Sequence, residues 1–242
     1  MREDLERGVH RTYLLHGITG SGKTEVYLRA TGLALERGKQ AILLVPEIAL
    51  TPRLVEVFGA RFPGQVAVLH SGLSAGERYD AWRRIRRGEC AIAVGARSAV
   101  FAPFERLGLI VVDEEHETSY KQEELPRYHA REVAIRRAQQ AGCVVILGTA
   151  TPSMESFYLG SQERYVYVHL PRRIADRPLP SVEVVDMREE EEKGKGRTYF
   201  SRRLLEAIDA RLSQGEQVLL FLNRRGFFTF IQCRDCGHVV SC

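Results

Sequence analysis

Gly17-Ile-Thr-Gly-Ser-Gly-Lys-Thr24 fits the pattern G-x-x-x-x-G-K-[ST] in full. The motif follows an apolar run, Thr12–Leu15, that predicts a strand, and it leads into a helical pattern over Thr24–Glu36. This context separates a phosphate-binding loop from a chance match, because the glycines let backbone N–H groups surround an anion at the start of a helix. The stretch therefore predicts a site for a nucleoside triphosphate. A tight glycine turn with an exposed lysine is the weaker alternative.

The positions of this loop have separate expected roles. Lys23 should reach the β- and γ-phosphates and act in catalysis, and the hydroxyl of Thr24 should hold Mg²⁺. The residues expected to bind the nucleotide are Gly17, Thr19, Gly20, Ser21, Gly22, Lys23, Thr24 and Glu25.

Length and composition limit the function classes. The 242 residues, 44% of them hydrophobic, are enough for one full core and part of a second. The net charge of +4 permits a polyanionic partner without requiring one. No apolar run approaches the roughly 20 residues that cross a membrane, and the charged N-terminus lacks the apolar centre of a signal peptide. We therefore expect a cytoplasmic protein without a membrane partner, in which Cys90 and Cys143 are buried thiols.

Apolar runs and helical patterns alternate along most of the chain. The predicted strands are Thr12–Leu15, Ala41–Val45, Val66–Leu69, Ala91–Val94, Leu109–Val112 and Val144–Leu147. The predicted helices are Thr24–Glu36, Pro52–Phe62, Ala75–Arg86, His129–Gln140 and Ser153–Leu159. A capping box of Ser74 and Glu77 is expected to start the third of them. Strands rich in Val, Ile and Leu between helices predict an α/β fold with a parallel sheet covered by helices on both faces.

The character of the sequence changes in its last third. Residues 171–200 are rich first in proline and then in charge, which predicts a linker and a charged, solvated loop. A helix at Leu204–Leu212 and a strand at Val218–Leu222 predict the start of a second α/β domain over residues 201–232. Because the chain stops before such a domain could complete its sheet, we expect a fragment in which residues 1–170 form the complete domain.

The predicted strand Leu109–Val112 is followed by Asp113-Glu-Glu-His116. Asp113 should hold Mg²⁺ through water, and Glu114 should polarise the attacking water, because hydrolysis needs one carboxylate for the metal and a second for the nucleophile. A strand that merely ends in solvated acids is the alternative. Together with the phosphate-binding loop, these acids favour hydrolysis of ATP over binding alone.

Gly148-Thr-Ala-Thr-Pro-Ser153 follows another predicted buried strand. The hydroxyls of Thr149 and Thr151 could link the nucleotide site to a ligand bound across the sheet. Thr-Pro-Ser is also an ordinary helix start, with proline near the first turn, so this segment alone does not decide between the two interpretations.

The segments GITGSGKT, DEEH and GTATPS resemble motifs I, II and III of superfamily 2 helicases, and the flanking residues resemble the PriA family of primosomal replication-restart DNA helicases. The segments that carry this resemblance are Gly22–Tyr27, Val45–Pro52, Leu69–Gly72, Gly95–Ser98, Asp113–His116, Ser119–Glu123, Arg127–Arg131 and Phe221–Gly226. They follow one another in order along nearly the whole chain.

The resemblance implies a RecA-like ATP-binding domain of the P-loop NTPase class, followed by an incomplete second RecA-like domain. It implies an ATP-dependent DNA helicase that moves 3′→5′ and assembles the primosome at stalled forks. The implied partners are single-stranded and forked DNA, the single-stranded-DNA-binding protein and other primosome proteins, in the bacterial cytoplasm at the nucleoid. Arginines of a sixth helicase motif would lie outside this chain, so we expect the fragment alone to be inactive or weak.

Two other function classes stay open. The protein could be a fork-binding scaffold that recruits restart proteins, and the intact Lys23, Asp113 and Glu114 do not exclude an ATPase that is dispensable. A small-molecule kinase with the same loop fits less well, because it explains neither the GTATPS segment nor the cysteines near the C-terminus.

The resemblance also assigns residues to DNA and to the coupling of DNA binding with hydrolysis. The residues expected to contact DNA are Ser71, Arg97, Ser98, Tyr120, Lys121, Tyr128 and Arg131. Those expected to couple the two sites are His116, Thr149 and Thr151. Serines that cap helices and tyrosines that pack in a core are the alternatives. The arginine-rich stretch Arg78–Arg87 is expected to be a solvated helix face.

Cys233-Arg-Asp-Cys236 has the C-x-x-C spacing of a zinc knuckle and opens a predicted zinc-binding module at residues 233–242. The resemblance implies that Cys233 and Cys236 share one Zn²⁺ and that Cys242 belongs to a second site. Three cysteines do not complete a four-ligand site unless His238 joins them. We therefore expect Zn²⁺ in the complete protein and incomplete sites in this fragment.

Overall fold

The computed structural model describes residues 1–46, 52–174, 178, 180–187, 200–221, 231–232 and 239–240. The α-helices in these ranges are α1 Arg2–Arg7, α2 Lys23–Glu36, α3 Pro52–Arg61, α4 Ala75–Arg86, α5 Ala130–Ala141, α6 Met154–Ser161 and α7 Arg202–Ser213. The strands are β1 Arg11–Gly17, β2 Gln40–Leu44, β3 Val66–Leu69, β4 Ile92–Gly95, β5 Leu107–Asp113, β6 Lys121–Gln122, β7 Tyr128–His129, β8 Val144–Thr149, β9 Val166–Leu170, β10 Ile231–Gln232 and β11 Val239–Val240. Short 3-10 helices lie at Arg97–Phe101 and Thr118–Tyr120.

The main sheet has the strand order β3-β4-β2-β5-β8-β1-β9, and every neighbouring pair in it is parallel. It contains all six strands predicted for the first domain. Strand β9 and helix α1 were not predicted. Because β9 lies at the sheet edge, its residues alternate between half-buried and exposed, and this gives a weaker signal than the continuous apolar runs of the inner strands.

Helices cover both faces of the sheet, which confirms the predicted α/β fold. Helices α1, α2 and α3, with the residue that follows α3, contribute Leu5, Tyr27, Leu28, Ala30, Ala34, Phe58 and Phe62 to the core on one face. Helices α4 and α5 contribute Ile85, Ala130, Ala134, Ile135 and Ala138 to the core on the other. Strands β2 and β8 are buried along their whole length, as expected for inner strands of a parallel sheet. Cys90 and Cys143 are buried free thiols, as predicted.

The predicted capping box at the start of α4 is confirmed. Ser74 Oγ accepts a hydrogen bond from Glu77 N at 3.3 Å, and Ser74 N donates to Glu77 Oε2 at 2.9 Å. These two bonds satisfy backbone donors that the first turn of a helix leaves unpaired.

The chain divides into two compact units, Met1–Pro178 and Leu179–Cys242. The second unit contains α7 and an antiparallel pair of β10 with β11. The strand predicted at Val218–Leu222 is wrong for its described residues 218–221, which form no strand and leave Leu219 and Phe221 exposed. An apolar segment becomes a strand only where a partner completes its hydrogen bonds. In neither unit is a described helix long and apolar enough to cross a membrane.

Candidate nucleotide site and nucleic-acid cleft

The loop between β1 and α2 is the first part of the candidate site. β1 ends at Gly17 and α2 begins at Lys23, so the loop lies between a strand end and a helix N-terminus, as the motif predicts. Gly20 and Gly22 have φ angles of 80° and 94°, a conformation that favours glycine. At Gly17 an added Cβ would lie 2.5 Å from Ser21 Oγ and 3.1 Å from Leu170 Cβ, so a side chain there would force its neighbours to shift. The backbone favours glycine at Gly20 and Gly22, and the close packing favours it at Gly17.

The hydroxyl of Ser21 indicates whether the loop fits a phosphate. Ser21 Oγ is shielded from solvent and has no hydrogen-bond partner among the described residues. A buried hydroxyl without a partner costs about 1–3 kcal/mol, which a phosphate oxygen as acceptor would offset. Thr24 is half-buried in the first turn of α2, whereas Thr19 is exposed. The loop therefore fits the phosphates of a nucleotide.

Lys23 connects this loop to the acidic end of β5. Its Nζ donates to the carbonyl oxygen of Gly17 at 2.9 Å and lies 3.6 Å from Glu114 Oε1. The lysine side chain is only 11% exposed, whereas that of Glu114 is 32% exposed, so the ion pair is partly shielded from solvent. By contrast, Glu25 is exposed and pairs with Arg29 on the surface of α2. The arrangement brings the predicted catalytic residues of the first two motifs together.

Asp113, the last residue of β5, is held by two buried tyrosines. Tyr27 Oη donates to Asp113 Oδ1 at 2.8 Å, and Tyr120 Oη donates to the Asp113 carbonyl oxygen at 2.6 Å. Burial raises the pKa of the Asp113 carboxyl, and the hydrogen bond from Tyr27 opposes this shift. Gly148 leaves room for Tyr27, because an added Cβ would overlap its hydroxyl. The role of Tyr27 was not predicted, although its position one turn after Lys23 places it on the sheet-facing side of α2.

Glu114 has an unusual backbone conformation. Its φ angle is 44°, a backbone conformation that residues other than glycine rarely adopt. This turn carries the chain out of β5 and leaves the Glu114 carboxylate 3.6 Å from Lys23 Nζ and 3.7 Å from His116 Nδ1. Strain of this kind is found where a site fixes the direction of a side chain. Glu114 therefore lies at the centre of the candidate site.

The three predicted coupling residues contact one another. His116 Nδ1 lies 2.8 Å from Thr149 Oγ1, and His116 Nε2 lies 3.4 Å from Thr151 Oγ1. The backbone N–H of Thr151 also donates to Thr149 Oγ1 at 3.0 Å. Thr149 is fully buried at the end of β8, so its hydroxyl has a fixed position. These bonds join the segment after β5 to the segment after β8.

Glu115 forms a buried polar network that was not predicted. It accepts from Arg131 Nη1 at 2.7 Å, from Ser153 N at 2.7 Å and from Ser156 Oγ at 2.9 Å. Glu115 is 1% exposed and Arg131 is 9% exposed. A buried carboxylate needs such partners, because removing a charge from water without them is strongly unfavourable. The network ties the start of α5 and the start of α6 to the acidic segment.

Two residues predicted to contact DNA, Tyr120 and Arg131, are buried in this structure. Tyr120 is 0% exposed and its hydroxyl is bound to Asp113, so it has no free face for a base. The guanidinium of Arg131 is bound to Glu115, Glu132 and Ser153. In this conformation both residues bind other parts of the domain, Tyr120 the end of β5 and Arg131 the buried Glu115.

Four other residues predicted to contact DNA, Ser71, Arg97, Ser98 and Tyr128, line one cleft of about 360 Å³. Arg78 and Trp82 of α4 complete this cleft, although α4 was predicted to be only a solvated face. Their spacing of one helical turn was the signal that could have identified them. Lys121 is exposed on the β6–β7 hairpin, beside Tyr128. The cleft therefore combines basic and aromatic side chains.

Arg97 also ties this cleft to the hairpin. Its Nη1 donates to the carbonyl oxygens of Ser119 at 3.3 Å and Lys121 at 3.2 Å. These two residues flank Tyr120, which is bound to Asp113. A chain of direct contacts therefore runs from the cleft to the acidic end of β5.

The predicted zinc ligands Cys233, Cys236 and Cys242 lie outside the described residues. Within the described ranges, no group of three or more His, Cys, Asp or Glu side chains is arranged to hold a metal ion.

Residues 5–158 match the family model of the DEAD/DEAH box helicases. This match covers more than half of the chain and contains the loop, the acidic segment and six of the seven strands of the main sheet. The chain therefore belongs to the DEAD/DEAH box helicase family.

Curated relatives show which group of helicases the chain resembles. The chain is 54% identical over 242 residues to the replication restart protein PriA of Bacillus subtilis, a match that covers 100% of this chain and 30% of that protein. It is 51% identical to PriA of a Synechocystis strain, over 98% of this chain and 29% of the relative. The resemblance to the PriA family is thereby confirmed, and the chain spans about a third of the length of these relatives.

A solved structure shares the fold. The structure of RecG bound to a three-way DNA junction matches with a TM-score of 0.50 and 22% sequence identity. The match covers 76% of this chain and 25% of RecG. At this identity the likeness supports the RecA-like α/β architecture alone.

Proposed function

We propose that this protein is an ATP-dependent DNA helicase of replication restart that moves 3′→5′, and that this chain carries its ATP-binding half. The observation that supports the proposal most directly is the convergence of Lys23, Asp113 and Glu114 at one edge of the sheet, with Lys23 Nζ 3.6 Å from Glu114. A cation and two carboxylates at a phosphate-binding loop are the groups that hydrolysis of a nucleoside triphosphate requires.

The proposed hydrolysis divides its tasks among these residues. The loop binds the phosphates through backbone N–H groups, and Lys23 exchanges part of its contact with Glu114 for the β- and γ-phosphates. Thr24 and Asp113 would hold Mg²⁺, which neutralises phosphate charge when bound. Glu114 accepts a hydrogen bond from the attacking water, and its backbone turn fixes the direction of its carboxylate.

The contacts around Asp113 support coupling between DNA and hydrolysis. DNA in the cleft would contact Arg97, which is bound to the main chain on both sides of Tyr120. A shift of this segment would move the tyrosine hydroxyl that holds Asp113. His116 and Thr149 form the second proposed connection, from Glu114 to the end of β8.

The cleft itself supports sequence-independent binding of single-stranded DNA, including the single strands of a fork. Arg78 and Arg97 suit phosphate contacts, and Trp82 and Tyr128 offer rings on which bases of any kind can stack. Because each phosphate contact releases counterions, we expect the affinity to fall steeply as the salt concentration rises.

The remaining parts of the proposal rest on the relationship to PriA. We propose that the complete protein acts with the single-stranded-DNA-binding protein and other primosome proteins, in the bacterial cytoplasm at the nucleoid. We also propose that Cys233, Cys236 and Cys242 bind Zn²⁺ there, together with ligands outside this chain. The 3′→5′ direction is part of the same proposal.

The deciding experiment replaces Lys23 in the complete protein. Lys23→Ala should reduce DNA-stimulated ATP hydrolysis to background, because it removes the cation that contacts the transferred phosphoryl group. Lys39→Ala is the matched control, since Lys39 is exposed and lies outside the site. Retained DNA-stimulated turnover in Lys23→Ala would remove Lys23 from its assigned role.

The same variant separates the helicase from a fork-binding scaffold. If fork restart in cells is lost with Lys23→Ala, the motor is required. If restart persists while hydrolysis is absent, the scaffold function is favoured and the ATPase is dispensable.

A further inference from the structure

The short segment that follows β9 returns to the phosphate-binding loop. The backbone N–H of Ile174 donates to the carbonyl oxygen of Gly20 at 2.9 Å. The Ile174 side chain also packs on the loop, because an added Cβ at Gly22 would lie 3.5 Å from Ile174 Cδ1. The segment Pro171–Ile174 is therefore fixed against the loop at two places.

This attachment places Arg173 beside the loop. An added Cβ at Gly20 would lie 4.0 Å from Arg173 Cγ, so the stem of the arginine is close to the glycine turn. The Nε of Arg173 is shielded from solvent and has no hydrogen-bond partner among the described residues. The preceding residue, Arg172, is exposed. Of the two neighbouring arginines, Arg173 is the one held at the loop.

A phosphate group bound at the loop would be a suitable ligand for the guanidinium of Arg173. The other cation at the loop, Lys23, is already paired with Glu114. A guanidinium N–H group without an acceptor is unfavourable when shielded from water, and its planar fork fits two oxygens of a phosphate. Ser21 Oγ, on the same loop, is a second buried group with no partner among the described residues. Two donors without acceptors therefore lie at one anion-binding turn.

We propose that Arg173 is a second cationic contact for the phosphate chain of the bound nucleoside triphosphate, supplied by the segment after β9 and not by the helicase motifs. The proposal rests on the proposed function, because it assumes that the loop binds a nucleotide. It gives the segment Pro171–Ile174 a role in ligand binding in addition to its role as the exit from the sheet.

Titration of the 242-residue chain with a fluorescent ATP analogue tests this inference. Arg173→Ala should weaken binding about tenfold, which is the usual effect of losing a charge-assisted hydrogen bond. Arg172→Ala is the matched control, since Arg172 is the neighbouring arginine, carries the same charge and is exposed. This variant should change the affinity for the analogue by less than about twofold. Equal affinities of the two variants would overturn the proposal.

Three further variants separate the possible failures. Arg173→Lys keeps the charge and loses the fork, so it should recover only part of the affinity. If Arg173→Ala does not fold, as judged by its thermal transition, Arg173→Lys and Arg173→Gln provide the comparison, and affinities equal to that of Arg172→Ala would again contradict the proposal.

Lys23→Ala distinguishes a failure of the proposed Arg173 contact from a failure of the proposed nucleotide site. An effect of Lys23→Ala without an effect at Arg173 contradicts this inference alone, whereas no effect of either contradicts the nucleotide site itself.

Discussion

The edge of the sheet that carries the phosphate-binding loop and the segment from Ser119 to Arg131 differ in how their side chains are arranged. At the sheet edge, Asp113 ends β5, Glu114 follows it directly, and Lys23 begins α2 after the loop that leaves β1, so the three lie close together. In the segment Ser119–Arg131, neighbouring polar residues point into different environments, with Tyr120 and Arg131 buried and Lys121 exposed. Strand ends of a parallel sheet bring side chains together by geometry, whereas an irregular segment distributes them according to local packing.

This difference predicts that Arg131 acts in folding and not in DNA binding. Arg131→Ala should lower the free energy of unfolding by about 3–5 kcal/mol, because it leaves the buried carboxylate of Glu115 without its cation. Urea denaturation measures the effect. Arg127→Ala removes a charge from the exposed part of the same segment and serves as control. A fully stable Arg131→Ala variant with weakened DNA affinity would instead support the assignment of Arg131 to DNA.

Tyr120 tests the connection between the two regions. Tyr120→Phe keeps the buried ring and removes the hydrogen bond to the Asp113 carbonyl, so stability should fall by about 1 kcal/mol. In the complete protein, the stimulation of ATP hydrolysis by DNA should decrease more than the basal rate. The control is Tyr79→Phe, since Tyr79 is 60% exposed on α4. Unchanged stimulation in Tyr120→Phe would show that coupling does not pass through this hydroxyl.

Lys121 is an exposed basic residue of the segment Ser119–Arg131 and tests whether this segment contacts DNA. Lys121→Ala should leave the unfolding transition unchanged and weaken DNA binding about threefold. The slope of log affinity against log salt concentration should become shallower by about one, because one counterion fewer is released. Fluorescence anisotropy with a labelled single strand, measured at several salt concentrations, gives both quantities. A salt dependence equal to that of the unsubstituted protein would mean that Lys121 contacts no phosphate.

The smallest predicted effect concerns His16, which precedes Gly17 at the sheet edge. Burial, the neighbouring His169 and Lys23 lower the pKa of His16 in the folded protein. Because the folded state binds this proton less well than the unfolded chain does, stability should decrease slightly as the pH falls below about 6.5. His16→Gln should flatten this part of the pH–stability curve, measured by thermal unfolding between pH 7.5 and 5.5. The same slope in both proteins would contradict the assignment.

Several features of the fold could be predicted because they depend on neighbouring residues. The strand before Gly17, the helix after it and the capping box of Ser74 and Glu77 are local patterns. Strand β9 was missed because an edge strand is half exposed and lacks a continuous apolar run. The strand at Val218–Leu222 was wrongly predicted for residues 218–221, because an apolar run does not contain its own pairing partner.

Some residues of the candidate site could likewise be predicted from the sequence, whereas their contacts with distant residues could not. The motifs predicted Lys23, Asp113 and Glu114 as catalytic residues, and in the structure Lys23 Nζ lies 3.6 Å from Glu114 Oε1, next to Asp113 at the end of β5. They gave no indication that Tyr27 would hold Asp113 or that Glu115 would bind Arg131, since these partners are far apart in sequence. They also did not indicate that the segment after β9 would return to Gly20.

The parallel α/β fold, the phosphate-binding loop and the family could be predicted from the amino-acid sequence, because each depends on residue type at short, fixed spacing. Which polar side chains of the segment Ser119–Arg131 are buried could be learned only from the folded domain. Burial of a charge is possible only where partners from other elements satisfy it, and for Arg131 these are Glu115 and Ser153. The same reason places Arg173 beside the loop, since the contact that brings it there joins Ile174 to Gly20 across the fold.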